Sequence, residues 1–136
     1  MFDAASIAER FKGTFAETMG ITFVEVTPER VVATIEMHPG LSTVGGTMHG
    51  GAIMAFADTL GAVGAVMNLP KGASTTTLES KTNFFSGCNA GTVRAETTPL
   101  HRGKRTSVWQ TRVTAPDGRL MAQIIQTQMV LMPQGA

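Results

Sequence analysis

His49-Gly50-Gly51-Ala52-Ile53-Met54-Ala55-Phe56-Ala57-Asp58-Thr59-Leu60-Gly61-Ala62-Val63-Gly64-Ala65-Val66-Met67 is the stretch on which the fold turns. From Gly50 onward only Asp58 and Thr59 are polar. The run is long enough for a helix of about five turns. A helix that is apolar all round is expected to be buried on all sides. A lone carboxylate in such a place is paired or put to use. Half of the run is Gly or Ala, which lets neighbouring strand backbones come close.

The flanking segments supply a sheet. Ile7, Phe11, Phe15 and Met19 recur every four residues and predict one amphipathic helix stopped at Gly20. Ile21–Val26 reads as a short strand and Thr27-Pro28-Glu29 as a turn. Val31, Ala33, Ile35 and Met37 alternate with Val32, Thr34, Glu36 and His38, a strand with one core face. Pro39–Thr47 reads as a loop, and the apolar helix ends near Asn68-Leu69-Pro70. Four more strands are expected at Ser74–Ser86, Thr92–His101, Arg105–Thr114 and Leu120–Met132. Their short breaks predict antiparallel hairpins. The expected class is α+β, a twisted antiparallel sheet curled around one long buried helix.

Composition narrows the function. The 136 residues fit a single domain spanning 1–136, with no linker or repeat. Hydrophobic residues reach 43% against 15% charged, which leaves apolar surface to cover and favours an oligomer. A net charge of +1 gives no general attraction to nucleic acid or anionic membrane. The apolar run reaches the length of a membrane span, but its central Asp would cost about 2.5–3.5 kcal/mol there. It also lacks flanking Trp or Tyr anchors. Cys88 is the only cysteine, so no intrachain disulfide forms and no Cys/His metal spacing exists. Neither a metal nor a cofactor is expected, and a reducing cytoplasm is the expected compartment. The first 20 residues carry Asp3, Glu9, Arg10, Lys12 and Glu17, unlike the apolar core of a signal peptide.

His49-Gly50-Gly51 opens the long helix, where unpaired N–H groups and partial positive charge collect. A carbonyl oxygen seated there would be polarised, and an oxyanion forming on it stabilised. Gly50 leaves its N–H open to a ligand; alternatively the two glycines only turn the chain. Asp58 is a candidate general base or nucleophile; the bland alternative is a structural Asp bonded to backbone. His49 is either a polar helix-start residue with a hydrogen-bonded ring, or one that contacts a leaving group or orients the loop. One of Thr75, Thr76 and Thr77 could hold a water beside Asp58, although Thr is common in strands for packing alone. His101, Arg102, Lys104 and Arg105 cluster at a turn, either solvated or phosphate-binding.

Gly50 and Asp58 are eight residues apart, hence about 12 Å apart along the helix axis. One reacting carbon cannot touch both within one protomer. Two copies of the helix packed antiparallel about a two-fold axis would bring Gly50 of one chain to Asp58 of the other. The expectation is a homodimer with shared sites.

Gly46-Thr47-Met48-His49-Gly50-Gly51, with Asp58 eight residues after Gly50, resembles the hotdog-fold acyl-CoA thioesterases, and among them the PaaI-like branch. The likeness covers nearly the whole chain, including Gly103 and the Pro116-Asp117-Gly118 turn. It implies hydrolysis of an acyl-CoA thioester to a carboxylic acid and CoA. The resemblance makes Gly50 the carbonyl-polarising donor, Asp58 the base or nucleophile, and His49 a neighbour of the thioester. It makes Thr77 the hydroxyl that positions water with the acid. Thr43 and Gly51 fall at substrate-contacting positions, and the nucleotide phosphates would fall near His101, Arg102, Lys104 and Arg105. A homotetramer, built as a dimer of dimers, is implied as well. Thr43 departs from the pattern, replacing an Asn or Gln six residues before the His, while Ala62 four after Asp58 resembles the Asp-using branch rather than a related one that pairs Glu with a Ser or Thr there. A non-catalytic acyl-CoA-binding protein is the alternative. A dehydratase would need a different loop motif. The acyl group, aromatic or medium-chain, stays open. Phe84 and Phe85 point to opposite faces of their strand, while Phe56, Met54 and Trp109 read as core.

Overall fold

Alternating apolar and polar residues build strands that each bury one face, and the long apolar helix supplies what they bury against. The structure, a computed structural model, describes residues 2–135. Its helices are α1 (Ala4–Arg10), α2 (Phe15–Met19) and α3 (Gly50–Val66). Its strands are β1 (Ile21–Val26), β2 (Val31–Glu36), β3 (Ser74–Phe84), β4 (Thr92–Arg102), β5 (Thr106–Thr114) and β6 (Leu120–Leu131). They form one sheet in the order β1-β2-β4-β5-β6-β3. Every neighbouring pair is antiparallel. The sheet wraps α3, and Ile53, Phe56, Leu60 and Val63 of the helix share a core with Ile35, Val93, Val113 and Ile124.

Three expectations need correction. The N-terminal helix is two helices, because Gly13 takes a left-handed conformation (φ 75°) that ends the first. The Gly13 N–H donates to Glu17 Oε2 at 2.7 Å, which ties the break to the second helix. Gly20 does stop that second helix, with φ 84°. Secondly, β3 and β4 are not a hairpin. β3 crosses to the far edge and pairs with β6, from Ser74↔Leu131 to Phe84↔Ala122. β4 lies between β2 and β5 instead. Thirdly, α3 is not buried on all sides. Gly51 is exposed, and Met54, Ala55, Asp58, Thr59, Ala62 and Val66 are half-buried. One sheet can cover only one side of a helix, so this flank stays open in a single chain.

Two glycines set how closely sheet and helix meet. A Cβ at Gly64 would stand 2.8 Å from Trp109 Cζ3. A methyl at Gly61 would overlap the Gln126 side-chain amide. Trp109 and Gln126 are cross-strand partners in β5 and β6. Two adjacent inward side chains of the sheet therefore fill two gaps in the helix surface.

Charges gather at the other edge of the sheet. Arg30 bonds Glu25 at 3.0 Å and Glu96 at 2.9 Å, and Arg94 reaches Glu96 at 3.2 Å. The Arg30 hydrogen bond, more than any other influence, holds the Glu96 carboxyl below its ordinary value of 4.5. A lowered folded-state value means that the pair stabilises fully above about pH 4.5 and progressively less as pH falls. Glu96→Gln is therefore expected to lower the melting temperature slightly at pH 7. The gap from wild type should narrow as pH falls below about 4.5, which thermal melts of both proteins across a descending pH series would show.

Candidate functional site

The start of α3 is fixed from three directions. The Met48 N–H donates to the Cys88 carbonyl at 2.8 Å, and the His49 N–H to the Leu41 carbonyl at 2.7 Å. His49 is the N-cap, and its ring Nδ1 accepts the Gly51 N–H at 2.7 Å. Its carbonyl accepts the N–H groups of Ala52 at 2.9 Å and Ile53 at 3.1 Å. Three of the first four amides of the helix are thus satisfied. Among the described residues no acceptor is paired with the fourth, the Gly50 N–H.

This assigns the two glycines different tasks. Gly51 gives its N–H to His49, so that N–H is not open to a ligand. A Cβ on Gly51 would stand 2.9 Å from the His49 ring, so glycine lets the ring fold back. At Gly50 a Cβ would meet the Phe84 ring at 3.2 Å, which places this half-exposed phenyl beside the open amide. His49 and Gly51 also border a cavity of about 400 Å³ walled by Phe15, Met19 and Leu41.

Asp58 lies two turns further along α3 and is half-buried. The Thr77 hydroxyl of β3 donates to its Oδ1 at 2.7 Å. Gln126 Nε2 of β6 donates to the same oxygen at 3.1 Å. Behind them, Gln128 Nε2 donates to the Thr77 hydroxyl at 2.7 Å, and the Thr75 hydroxyl stands 3.0 Å from Gln128 Oε1. Thr77 therefore accepts one hydrogen bond while donating another, which strengthens both. No hydrogen bond among the described residues reaches Asp58 Oδ2. One carboxylate oxygen is clamped and the other is available for chemistry.

Other candidates lie elsewhere. The Thr43 backbone is held across a turn to the Thr47 carbonyl at 2.7 Å, and its hydroxyl faces that of Thr47 at 3.3 Å. The hydroxyl is thus turned into its own loop. His101, Arg102, Lys104 and Arg105 are exposed at the opposite end of α3. Arg102 Nη1 donates to the Pro28 carbonyl at 3.3 Å and Asn68 Oδ1 at 3.2 Å. The helix alone sets Asn68 about 27 Å from Gly50, so one chain does not bring this turn to its own Gly50.

Sequence reasoning missed Gln126 and Gln128, which are 1% and 0% exposed. The signal available was two glutamines spaced by two in a strand. It was masked because Ile125, Met129 and Leu131 on the alternate positions look more like a core face. Those three face outward and are 38–39% exposed.

The fold is that of a hotdog thioesterase, and comparison with known proteins places the chain among hydrolases that act on thioesters. The Thioesterase superfamily pattern matches residues 45–122, more than half of the chain, and this protein belongs to that superfamily. A 1,4-dihydroxy-2-naphthoyl-CoA hydrolase of Listeria monocytogenes is 29% identical over 105 residues, spanning 77% of this chain and 85% of the relative. The proofreading thioesterase EntH of Cronobacter sakazakii is 27% identical over 107 residues, spanning 79% and 78%. A Haemophilus influenzae thioesterase structure superposes with a TM-score of 0.94 at 21% identity, covering 100% of this chain and 96% of that one. The Escherichia coli PaaI protein of the phenylacetic acid degradation operon superposes with a TM-score of 0.80 at 20% identity, covering 91% and 88%. At these identities the two structures speak for the fold. Among the described residues no helix is long and apolar enough to cross a membrane.

Proposed function

We propose that the protein hydrolyses an acyl-CoA thioester, with water adding to the carbonyl carbon and the carbon–sulfur bond breaking to release the acid and free CoA thiol. The observation that carries this reading is a pair of unsatisfied groups: the Gly50 N–H at a helix N-terminus and Asp58 Oδ2 beside clamped Oδ1. The first would polarise the thioester carbonyl and hold the oxyanion. The second would deprotonate the attacking water, or attack directly. Thr77 keeps the carboxylate in place. His49 keeps the Gly51 N–H occupied and its ring against the cavity.

The two groups are about 12 Å apart along one helix. We therefore place the site between two chains, with Gly50 of one subunit meeting Asp58 of the other. Two features support a second copy here. The open flank of α3 lies next to β3, and β3 is an 11-residue edge strand with one side unpaired and Leu78 exposed. Such an edge is a ready template for pairing with another chain. The outward Ile125, Met129 and Leu131 offer a further apolar surface on which dimers could pair as a tetramer. The His101–Arg105 turn lies about 15 Å beyond Asp58 along the helix, toward which the phosphate end of an extended CoA would run. The single Cys88, free and buried, suits a cytoplasmic setting.

The test uses a substitution that the backbone already tolerates. Proline fits the first position of a helix, and His49 at φ −63°, ψ 136° has the extended conformation a following proline needs. Gly50→Pro replaces the N–H by a ring methylene, and its Cβ requires the Phe84 ring, 3.2 Å away, to give by a few tenths of an ångström. It is expected to cost about 10²- to 10³-fold in kcat, the usual loss of an oxyanion donor, with little change in melting temperature. Refolding it together with Asp58→Ala should restore roughly a quarter of the wild-type sites, since each hybrid dimer keeps one intact pair. Hybrids with no regained thiol release would remove the shared site.

A further inference from the structure

Gln126 carries two local costs at once. Its side chain is 1% exposed, and its Oε1 is buried with no partner. A buried amide with an unpaired oxygen forfeits hydration without return. Directly above it α3 has Gly61, and a methyl there would overlap the Gln126 amide. Glycine inside a helix loses more chain entropy on folding than alanine. An apolar residue at 126 with alanine at 61 would fill the same space without either cost. What this pair supplies instead is one hydrogen bond, Gln126 Nε2 to Asp58 Oδ1 at 3.1 Å, with a second approach to the Asp58 carbonyl at 3.4 Å. Violations of local packing rules that converge on one group are the mark of a functional site.

We propose that Gln126 is a positioning residue for thioester hydrolysis and that Gly61 is the seat that admits it. The inference rests on Asp58 acting on the substrate. Thr77 from β3 and Gln126 from β6 meet on the same oxygen. Turning the carboxylate about its last torsion would break both bonds, so Oδ2 is held in one direction. Thr77 alone would leave the group free to swing about a single contact. The benefit falls on the chemical step, because misplacing a reacting oxygen costs rate more than binding.

Gln126→Leu keeps the volume and removes the donor. It is expected to lower kcat about 10- to 100-fold, with KM within about twofold and a melting temperature equal to or above wild type. In an Asp58→Asn background Gln126→Leu should cause no further loss, because both act through one oxygen. Gly61→Ala should lower both kcat and melting temperature. Adding Gln126→Ala to it should recover the melting temperature and leave kcat low. If Gly61→Ala fails to fold, Gln126→Leu alone decides the matter. Wild-type kcat in Gln126→Leu, beside an inactive Asp58→Asn, overturns the positioning role and leaves the catalytic reading standing. Wild-type turnover in Asp58→Asn overturns that reading, and this one with it.

Discussion

Asp58→Asn is expected to lower acyl-CoA turnover by roughly two to four orders of magnitude, the usual range for loss of a general base. Asparagine is nearly the same size and keeps an oxygen that can accept from Thr77 and Gln126, whose bonds to Asp58 Oδ1 measure 2.7 and 3.1 Å. The substitution therefore removes the charge and the reactive oxygen while leaving the fold. Asp58→Ala should cost as much activity, and it also strands the Thr77 hydroxyl and the Gln126 amide without their acceptor. A buried donor left unpaired costs about 1–3 kcal/mol, so the alanine variant should be the less stable of the two. KM should move little in either, since the Gly50 amide and the cavity beside His49 are untouched. Thiol release from a panel of aromatic and medium-chain acyl-CoA esters would measure both constants. Turnover within a few-fold of wild type in both variants would exclude Asp58 as base and as nucleophile. Single turnover in ¹⁸O-water tests direct attack, because an acyl-Asp58 anhydride opened by water at the Asp carbon leaves solvent oxygen in that carboxylate, which general-base attack never labels.

Much of the fold was legible because periodicity reports burial directly. β1 runs Ile21–Val26 as expected, and the last three strands differ from expectation only at their ends. Pairing was not legible. The gap between β3 and β4 contains Gly87 and Gly91 and looks like any hairpin loop, yet it carries the chain across the sheet. Nothing local states that β3 pairs with a strand some forty residues later, because that choice is made by how the sheet wraps α3. The broken N-terminal helix failed for a related reason. Every fourth residue from Ile7 to Met19 is apolar on both sides of the break, and only the left-handed Gly13 interrupts it.

The site divided in the same way. Gly50 and Asp58 stand out because each breaks a local expectation, an open helix end and a charge among apolar neighbours. Thr77 came from family resemblance, since three successive threonines in a strand carry no distinction of their own. Gln126 needed the structure. Its meaning depends on Gly61, 65 positions earlier in the chain, and no one-dimensional pattern links the two.

The largest stability effect is expected from Trp109→Ala. Trp109 is wholly buried, and its ring fills the hollow over Gly64, where an added Cβ would lie 2.8 Å from the indole. Its Nε1 donates to the Ser107 hydroxyl at 2.8 Å, a group that is itself buried. Removing the indole empties a cavity facing a helix that has no side chain there to swing in. Neither backbone can close the gap, because the strand is paired on both sides. Truncations of this kind cost about 3–5 kcal/mol, and a rigid surround puts the expectation at the upper end. For a chain of 136 residues that is a fall of roughly 10–20 °C in melting temperature. Because Gln126 is the cross-strand neighbour of Trp109, it loses a packing partner in the variant, and kcat should fall with stability. Trp109→Phe keeps an aromatic ring but loses the outer edge of the indole, whose Cζ3, Cε3 and Cη2 lie over Gly64, together with the hydrogen bond, so it should recover only part of both. Calorimetry and denaturant unfolding on the two variants, with thiol release on the same samples, would measure this. A loss below about 1 kcal/mol in Trp109→Ala would mean that the sheet does not seat on the helix through Gly64.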